Sequence, residues 1–402
     1  MALVIIRGVM ATTIHTVMDT ATVMDMAIIM VRRIIISNMH SISNIQTRGG
    51  KRIGYIDAMR GFSMILVVFG HVLLSMGFPT DSTILGSILL TFRMPLFFFV
   101  SGFFAFRVMD KWTIKLLKSI LKRKIQAQII CTIVFYSLYQ LCHSKTPLLF
   151  LTDGFSWFWF TIVLFQMFLI YMILAAVEKV LRKPIVVTPG LVILSILFFF
   201  IFVKCSGNDN KMWTILSWYY LVEYFQFFAF GILARKYYHR FEQLLLSNSF
   251  RTIVIVSYTF LLLAVYGFDK AFANYNSAVY NIFSMVLIRY AGLSTVFVLF
   301  YNNSTYFAGD EKPCRWLRFV GRRTLDIYML HVFFLPNLLF MKPLLSESGM
   351  LLMQLTVGIT GAVLNIALCL FISTILRSSS TLAKWLFGEK GQSSLKQSIL
   401  VP

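Results

Sequence analysis

From Lys51 onward the chain is cut into apolar segments of about the length a bilayer demands, roughly 20 residues each, and few folds tolerate that pattern. The segments fall near 55–77, 84–105, 125–142, 157–177, 185–203, 214–234, 252–268, 279–301, 324–341 and 350–376. In hydrocarbon a backbone must satisfy its own hydrogen bonds, so runs of this length predict helices. Hydrophobic residues make up 58% of the 402 and charged residues only 13%, a balance that ordinary soluble domains do not show. The expected fold is all-α: a polytopic membrane protein with a bundle of about ten transmembrane helices.

Charge fixes the expected orientation. A net charge of +21 would suit a nucleic-acid partner, but the basic residues sit in short loops between apolar runs, as the positive-inside rule requires. With Lys51 and Arg52 placed in the cytoplasm, the later inner loops and the tail hold 23 Lys and Arg, and the outer loops hold five: Lys145, Lys204, Lys211, Lys270 and Lys342. That alternation predicts both termini cytoplasmic and no nucleic acid as partner. Residues 1–50, interrupted by Asp19, Asp25, Arg32 and Arg33, read as a poorly ordered or translational-start extension; an extra interfacial or spanning helix is the alternative. Residues 51–376 form the membrane domain, and 377–402 a cytoplasmic tail with Trp385, Leu386 and Phe387 set for the inner interface. The five cysteines lack the spacing of a metal site; Cys142 and Cys205 lie near enough to the outer surface to pair.

The first segment carries the chemistry. In DAMRGFSMILVVFGH (57–71), eleven helical steps separate Arg60 from His71, about three turns, which puts both on one stripe roughly 16 Å apart. Asp57, three residues before Arg60, falls on nearly the same line and within carboxylate reach of its guanidinium. Ionisable groups in a membrane helix are expensive and turn toward a bundle interior or a wet cavity. The same topology puts Arg93, Glu223 and Arg289 near the midplane, and His331 in the ninth segment after Asp326 and Tyr328. Any one of these could be an ion pair that fixes packing; five on five helices point instead to a functional cavity.

A histidine is suited to take a proton from a hydroxyl near neutral pH, and arginines beside it suit phosphate, carboxylate or an oxyanion. No nucleophile elbow, zinc motif or phosphate loop occurs in the sequence. Gly102 reads as a close helix contact and Gly321 as a turn.

The chain resembles the acyltransferase-3 membrane acyltransferases, which modify cell-surface polysaccharides and related acceptors. RIGYIDAMRGFSMILVVFGH (52–71) holds the Arg-x10-His pattern, FRMPLFFFVSGFF (92–104) follows, and WFWF (157–160), FFAFGILARK (227–236) and VGRRTLDIYMLH (320–331) continue in order. The resemblance implies ten helices, an acyl-CoA donor (acetyl-CoA) reached from the cytoplasm, His71 as catalytic base and Arg60 for donor binding or for shaping the site. It makes His331 a secondary site candidate beside Glu223 and Arg289, and Asp57 a companion of the catalytic pair. Where relatives carry Arg-x-x-Arg, this chain has LLKSILKRK; Lys118, Lys122 and Arg123, with Arg93, are the candidates for holding the donor, against an ordinary positive-inside cluster.

The function expected is thus an integral-membrane O-acyltransferase that acylates a hydroxyl of a surface or exported glycan or lipid-linked sugar, in a bacterial inner membrane and without a metal. A transporter of an anionic or acylated metabolite is the alternative, although Pro95 beside Arg93 is its only broken-helix signal. Trp157, Trp213 and Trp218 suit either sugar stacking or an outer aromatic belt.

Overall fold

The computed structural model describes residues 53–77, 84–109, 114–181, 186–205, 211–264, 278–341 and 351–387. The expected extension over 1–50 and the tail beyond 387 lie outside these. Each of the ten apolar segments carries helix, and no strand occurs among the described residues. The helices that matter below are α1 (Gly54–Ser75), α2 (Ile84–Met109), α3 (Ile114–Lys124), α4 (Cys131–Cys142), α5 (Trp159–Leu181), α6 (Val187–Cys205), α7 (Trp218–Lys236), α8 (Tyr238–Leu246), α9 (Asn248–Leu262), α10 (Ala278–Asn302), α11 (Lys312–Arg322), α12 (Thr324–Leu330), α13 (Leu351–Ser378) and α14 (Ser380–Phe387).

Seven helices among the described residues are long and apolar enough to cross a membrane. The pair α8 and α9, bent by 78°, would make an eighth. Two of the ten segments behave differently. In α7, Glu223, Gln226 and three tyrosines dilute the apolar run. The ninth is an apolar helix over Thr324–Phe334, about 16 Å at 1.5 Å per residue, roughly half the hydrocarbon thickness. Its last turn, His331–Phe334, is a 3₁₀ turn that ends at extended Leu335.

Glycines set the two tightest helix contacts. A Cβ at Gly102 of α2 would run into the carbonyl of Phe228, and one at Gly231 of α7 into that of Phe99, so the two backbones touch at reciprocal points. Likewise Gly61 of α1 faces the carbonyl of Leu317 while Gly321 of α11 faces that of Asp57. Gly102 is the close contact expected from sequence. Gly321, expected in a turn, is inside α11, and what excludes a side chain there is the backbone of α1. Close approach of this kind is the membrane-helix use of small residues. The core between these pairs is aromatic: Phe98, Phe99, Phe103, Phe225, Phe227, Phe228 and Phe297 are fully buried.

Outward faces are apolar in the opposite sense. Phe200 of α6, Phe260 of α9 and Phe371 of α13 are each more than 60% exposed, which is stable against lipid and not against water. At the other end of the chain Phe387 turns inward, buried beneath the Arg377 guanidinium at 4.4 Å and beside Phe135. Cys131, Cys314 and Cys369 are buried, and Cys142 is a free, exposed thiol.

Candidate active site

The motif VGRRTLDIYMLH supplies the frame. Along α12, Thr324, Tyr328 and His331 recur at four and three residues and share one face, with Asp326 on the other. Asp326, buried, receives Arg377 of α13 through Nε at 2.7 Å and through Nη2 at 2.8 Å, Arg323 at 3.4 Å, and the Ser373 hydroxyl. A bidentate guanidinium on a buried carboxylate is among the stiffer polar contacts available. It bolts the short helix to α13, and Asn365 of α13 adds a hydrogen bond from Nδ2 to the His331 carbonyl at 2.9 Å.

On the site face, Thr324 Oγ1 accepts from Arg60 Nη2 at 2.9 Å. Tyr328 donates its hydroxyl to the Trp157 carbonyl at 2.9 Å and accepts from the Phe160 amide at 3.1 Å, which fixes the WFWF segment. His331 Nδ1 faces two carbonyl oxygens, of Tyr328 at 2.7 Å and Ile327 at 3.1 Å. Carbonyls only accept, so Nδ1 carries the hydrogen and Nε2 presents its lone pair. Nε2 is buried and has no hydrogen-bond partner. The ring centroid of His71 stands 5.2 Å from that of His331, at 33° between planes, and Trp157 closes the other side of His71 edge-on at 5.1 Å. The stripe on α1 therefore meets the motif at both ends: Arg60 with Thr324, His71 with His331.

Between those ends the site divides. A cavity of about 420 Å³ is lined by Arg60, Arg123, Lys124, Gln128, Thr324 and Tyr328, among others. His71 and His331 are not part of its wall. Tyr328 is common to both regions: it lines the cavity and its ring lies 5.8 Å from that of His331. Phe160, at 5.4 Å from Tyr328, and Phe97, at 5.0 Å from Phe160, continue the same partition. The cavity wall thus carries the Arg60 guanidinium and neither imidazole, which stand on the far side of an aromatic layer, whereas the expectation from sequence has guanidinium and imidazole in one wet chamber.

Two of the cavity's cations, Arg123 and Lys124, come from the last turn of α3, just ahead of an irregular stretch. Between α3 and α4 the chain is π-helical over Ile125–Ile130, a form that gathers at functional sites because its extra residue per turn re-aims side chains. Arg123 and Lys124 line the cavity, Lys124 with its ammonium 4.1 Å above Phe168 and Arg60 with its guanidinium 5.5 Å above Phe104. Lys118 and Lys122, the other candidates from sequence, are exposed and off the cavity wall.

In the other half, Arg289 Nη1 meets Glu223 Oε1 at 2.7 Å with both side chains 8% exposed, and the guanidinium lies 5.3 Å from the ring of Tyr224. Tyr224 stacks on Phe98, and Trp159 stacks on Tyr220 at 3.9 Å. Arg93 is buried within electrostatic reach of Tyr224 and His71, and is not on the cavity wall. Asp57 is buried in the first turn of α1. No cluster of His, Cys, Asp or Glu suited to a metal occurs among the described residues. Sequence reasoning missed Lys124, Gln128, Thr324 and the contact of Trp157 with His71; the KRK run ahead of an apolar segment was the available signal for the first.

Comparison with known proteins adds one match. A family model described as an acyltransferase domain covers residues 53–374, from the first residue before α1 to the last turns of α13. No curated protein and no solved structure matches the chain.

Proposed function

This chain belongs to the acyltransferase-3 family of membrane acyltransferases, and from that premise we propose that it is an O-acyltransferase moving acetyl from acetyl-CoA to a hydroxyl of a cell-surface or exported glycan. The proposed setting is a bacterial inner membrane, crossed ten times, with both termini in the cytoplasm. The donor's phosphates occupy the cavity beneath Tyr328, where Arg60, Arg123 and Lys124 supply positive charge suited to them. Lys118 and Lys122 stand outside that cavity and act at most as a surface field.

His71 is the base. The acceptor hydroxyl gives its proton to the His71 imidazole as its oxygen bonds to the thioester carbon. Collapse of the tetrahedral adduct breaks the carbon–sulfur bond, and the imidazolium returns a proton to the departing thiolate, leaving ester and free coenzyme A. His331 assists from behind, because its bare Nε2 accepts an N–H from His71 after a small ring rotation and so holds His71 in the tautomer that offers a lone pair to the acceptor. The thioester reaches His71 past Tyr328, the side chain shared by both spaces.

One observation carries this reading: an imidazole pair with an open acceptor nitrogen, separated by a single tyrosine from a cavity lined with cations. The test is incorporation of labelled acetyl into glycan by membranes holding the protein, with and without His71→Ala. Full incorporation by the variant removes His71 as base.

A further inference from the structure

Guanidinium groups are hard to bury, and the bundle holds two at depth, Arg93 and Arg289, in unlike surroundings. Arg289 is neutralised by Glu223 at 2.7 Å. Arg93 is 8% exposed and takes part in no ion pair among the described residues. Its Nε and Nη1 are buried without a hydrogen-bond acceptor. The groups within electrostatic reach are Tyr224 and His71, and neither brings a carboxylate.

Such an arrangement is unfavourable on its own terms. Each buried donor left bare has lost its hydrogen bond to water without a replacement, and desolvating the cation is costlier still. A leucine or methionine in the same place would pack without either cost, so helix packing does not account for arginine here. The oxyanion of a tetrahedral adduct does not account for it either, since that charge exists only during the reaction and the resting site carries its cation throughout. A ground-state anion does account for it, and a location within electrostatic reach of His71 says whose anion it is.

We propose that Arg93 binds an anionic oxygen group, a carboxylate or a phosphate, belonging to the molecule on which His71 acts, so that the substrate is negatively charged close to its reacting centre. The proposal rests on the acyl-transfer reading and adds to it the charge class of the substrate. Two sources supply that chemistry: an acidic acceptor, such as a uronate or sugar phosphate, or an acyl group that ends in a second carboxylate.

Binding to the full-length protein in detergent separates the sources. One arm compares glucuronate and glucose 1-phosphate with glucose; the other compares succinyl-CoA with acetyl-CoA. The expected result is a preference of about 10- to 100-fold for the anionic member in one arm, the worth of a buried charge-assisted contact. Arg93→Gln erases that preference, and Arg93→Lys keeps part of it, because a point charge replaces the planar fork. A preference in the first arm assigns the anion to the acceptor, and in the second to the acyl group. Equal binding in both arms by the unmodified protein, or a preference that survives Arg93→Gln, overturns the proposal. Should Arg93→Gln fail to fold, the several-fold drop expected between the unmodified protein and Arg93→Lys remains the test, and an undiminished preference in the Lys variant overturns the proposal. The readout is binding alone, so membranes holding the unmodified protein that transfer no acyl group would sink the acyl-transfer reading and leave the anion preference of Arg93 measurable.

Discussion

The two spaces on either side of Tyr328 handle charge in opposite ways. Cations of the cavity border open volume, with a threonine hydroxyl and a phenyl face among the partners of Arg60 and a phenyl face beneath Lys124. Groups of the other half are locked or bare: Glu223 with Arg289 in a tight pair, His331 held by two carbonyls, Arg93 without an acceptor on two nitrogens. Cations around an open cavity attract a polyanion and set affinity. A fixed imidazole pair with an open lone pair is poised for a reacting centre and sets rate. The contrast is sharp enough to break: substitution of His71 should act on kcat, and of the cations beneath Tyr328 on donor KM.

The largest effect belongs to His71→Ala. Removing a general base costs about 10²–10⁴ in kcat, with donor KM within about threefold of the unmodified protein, because the cavity is untouched. Acetyl transfer at varied donor concentration checks both numbers. A rise in KM with kcat unchanged would put His71 in binding and dissolve the contrast.

Next is Asp326→Ala, which tests whether α12 couples the two spaces. The carboxylate is buried, and its loss removes the bidentate partner of the part-buried Arg377 of α13, a broken pair worth up to about 3–5 kcal/mol of stability. Because α12 carries both Thr324 and His331, this variant should lower thermal stability in detergent and impair kcat and KM together. An effect on one constant alone would mean that the two ends of α12 are held separately.

Much of this was legible beforehand, and the parts that were not have definite causes. The stripe of Arg60 and His71 is a matter of helical period, which sequence states directly, and both ends find partners in one later motif. Glu223 and Arg289 were expected at similar depth on different helices and form the pair that depth allows. Gly321 was misread because a glycine near a helix end looks the same whether it turns the chain or admits a neighbour, and the neighbour here is 264 positions earlier at Asp57. The break of the ninth segment at His331 depends on Asn365, 34 residues on, which no local pattern announces. The identity of the cavity cations depended on the rotational register of the last turn of α3, which packing against other helices sets and no local pattern announces.

That register yields the two smaller predictions. Lys124→Ala should raise donor KM by about 10-fold with kcat little changed, the worth of one charge-assisted contact to phosphate. The smallest effect belongs to the double change Lys118→Ala and Lys122→Ala. Both side chains are exposed and at physiological salt are screened beyond about 8 Å, so donor KM should move by no more than about twofold, and by less as salt is raised. Reading the segment as a positive-inside cluster gives no reason for Lys124 to differ from its neighbours, because such a cluster would act through its summed charge. A double variant that matches or exceeds Lys124→Ala would therefore mean that the cluster works as a diffuse field. Donor affinity would then not reside in the cavity beneath Tyr328, and the division of labour across that tyrosine would lose its inner half.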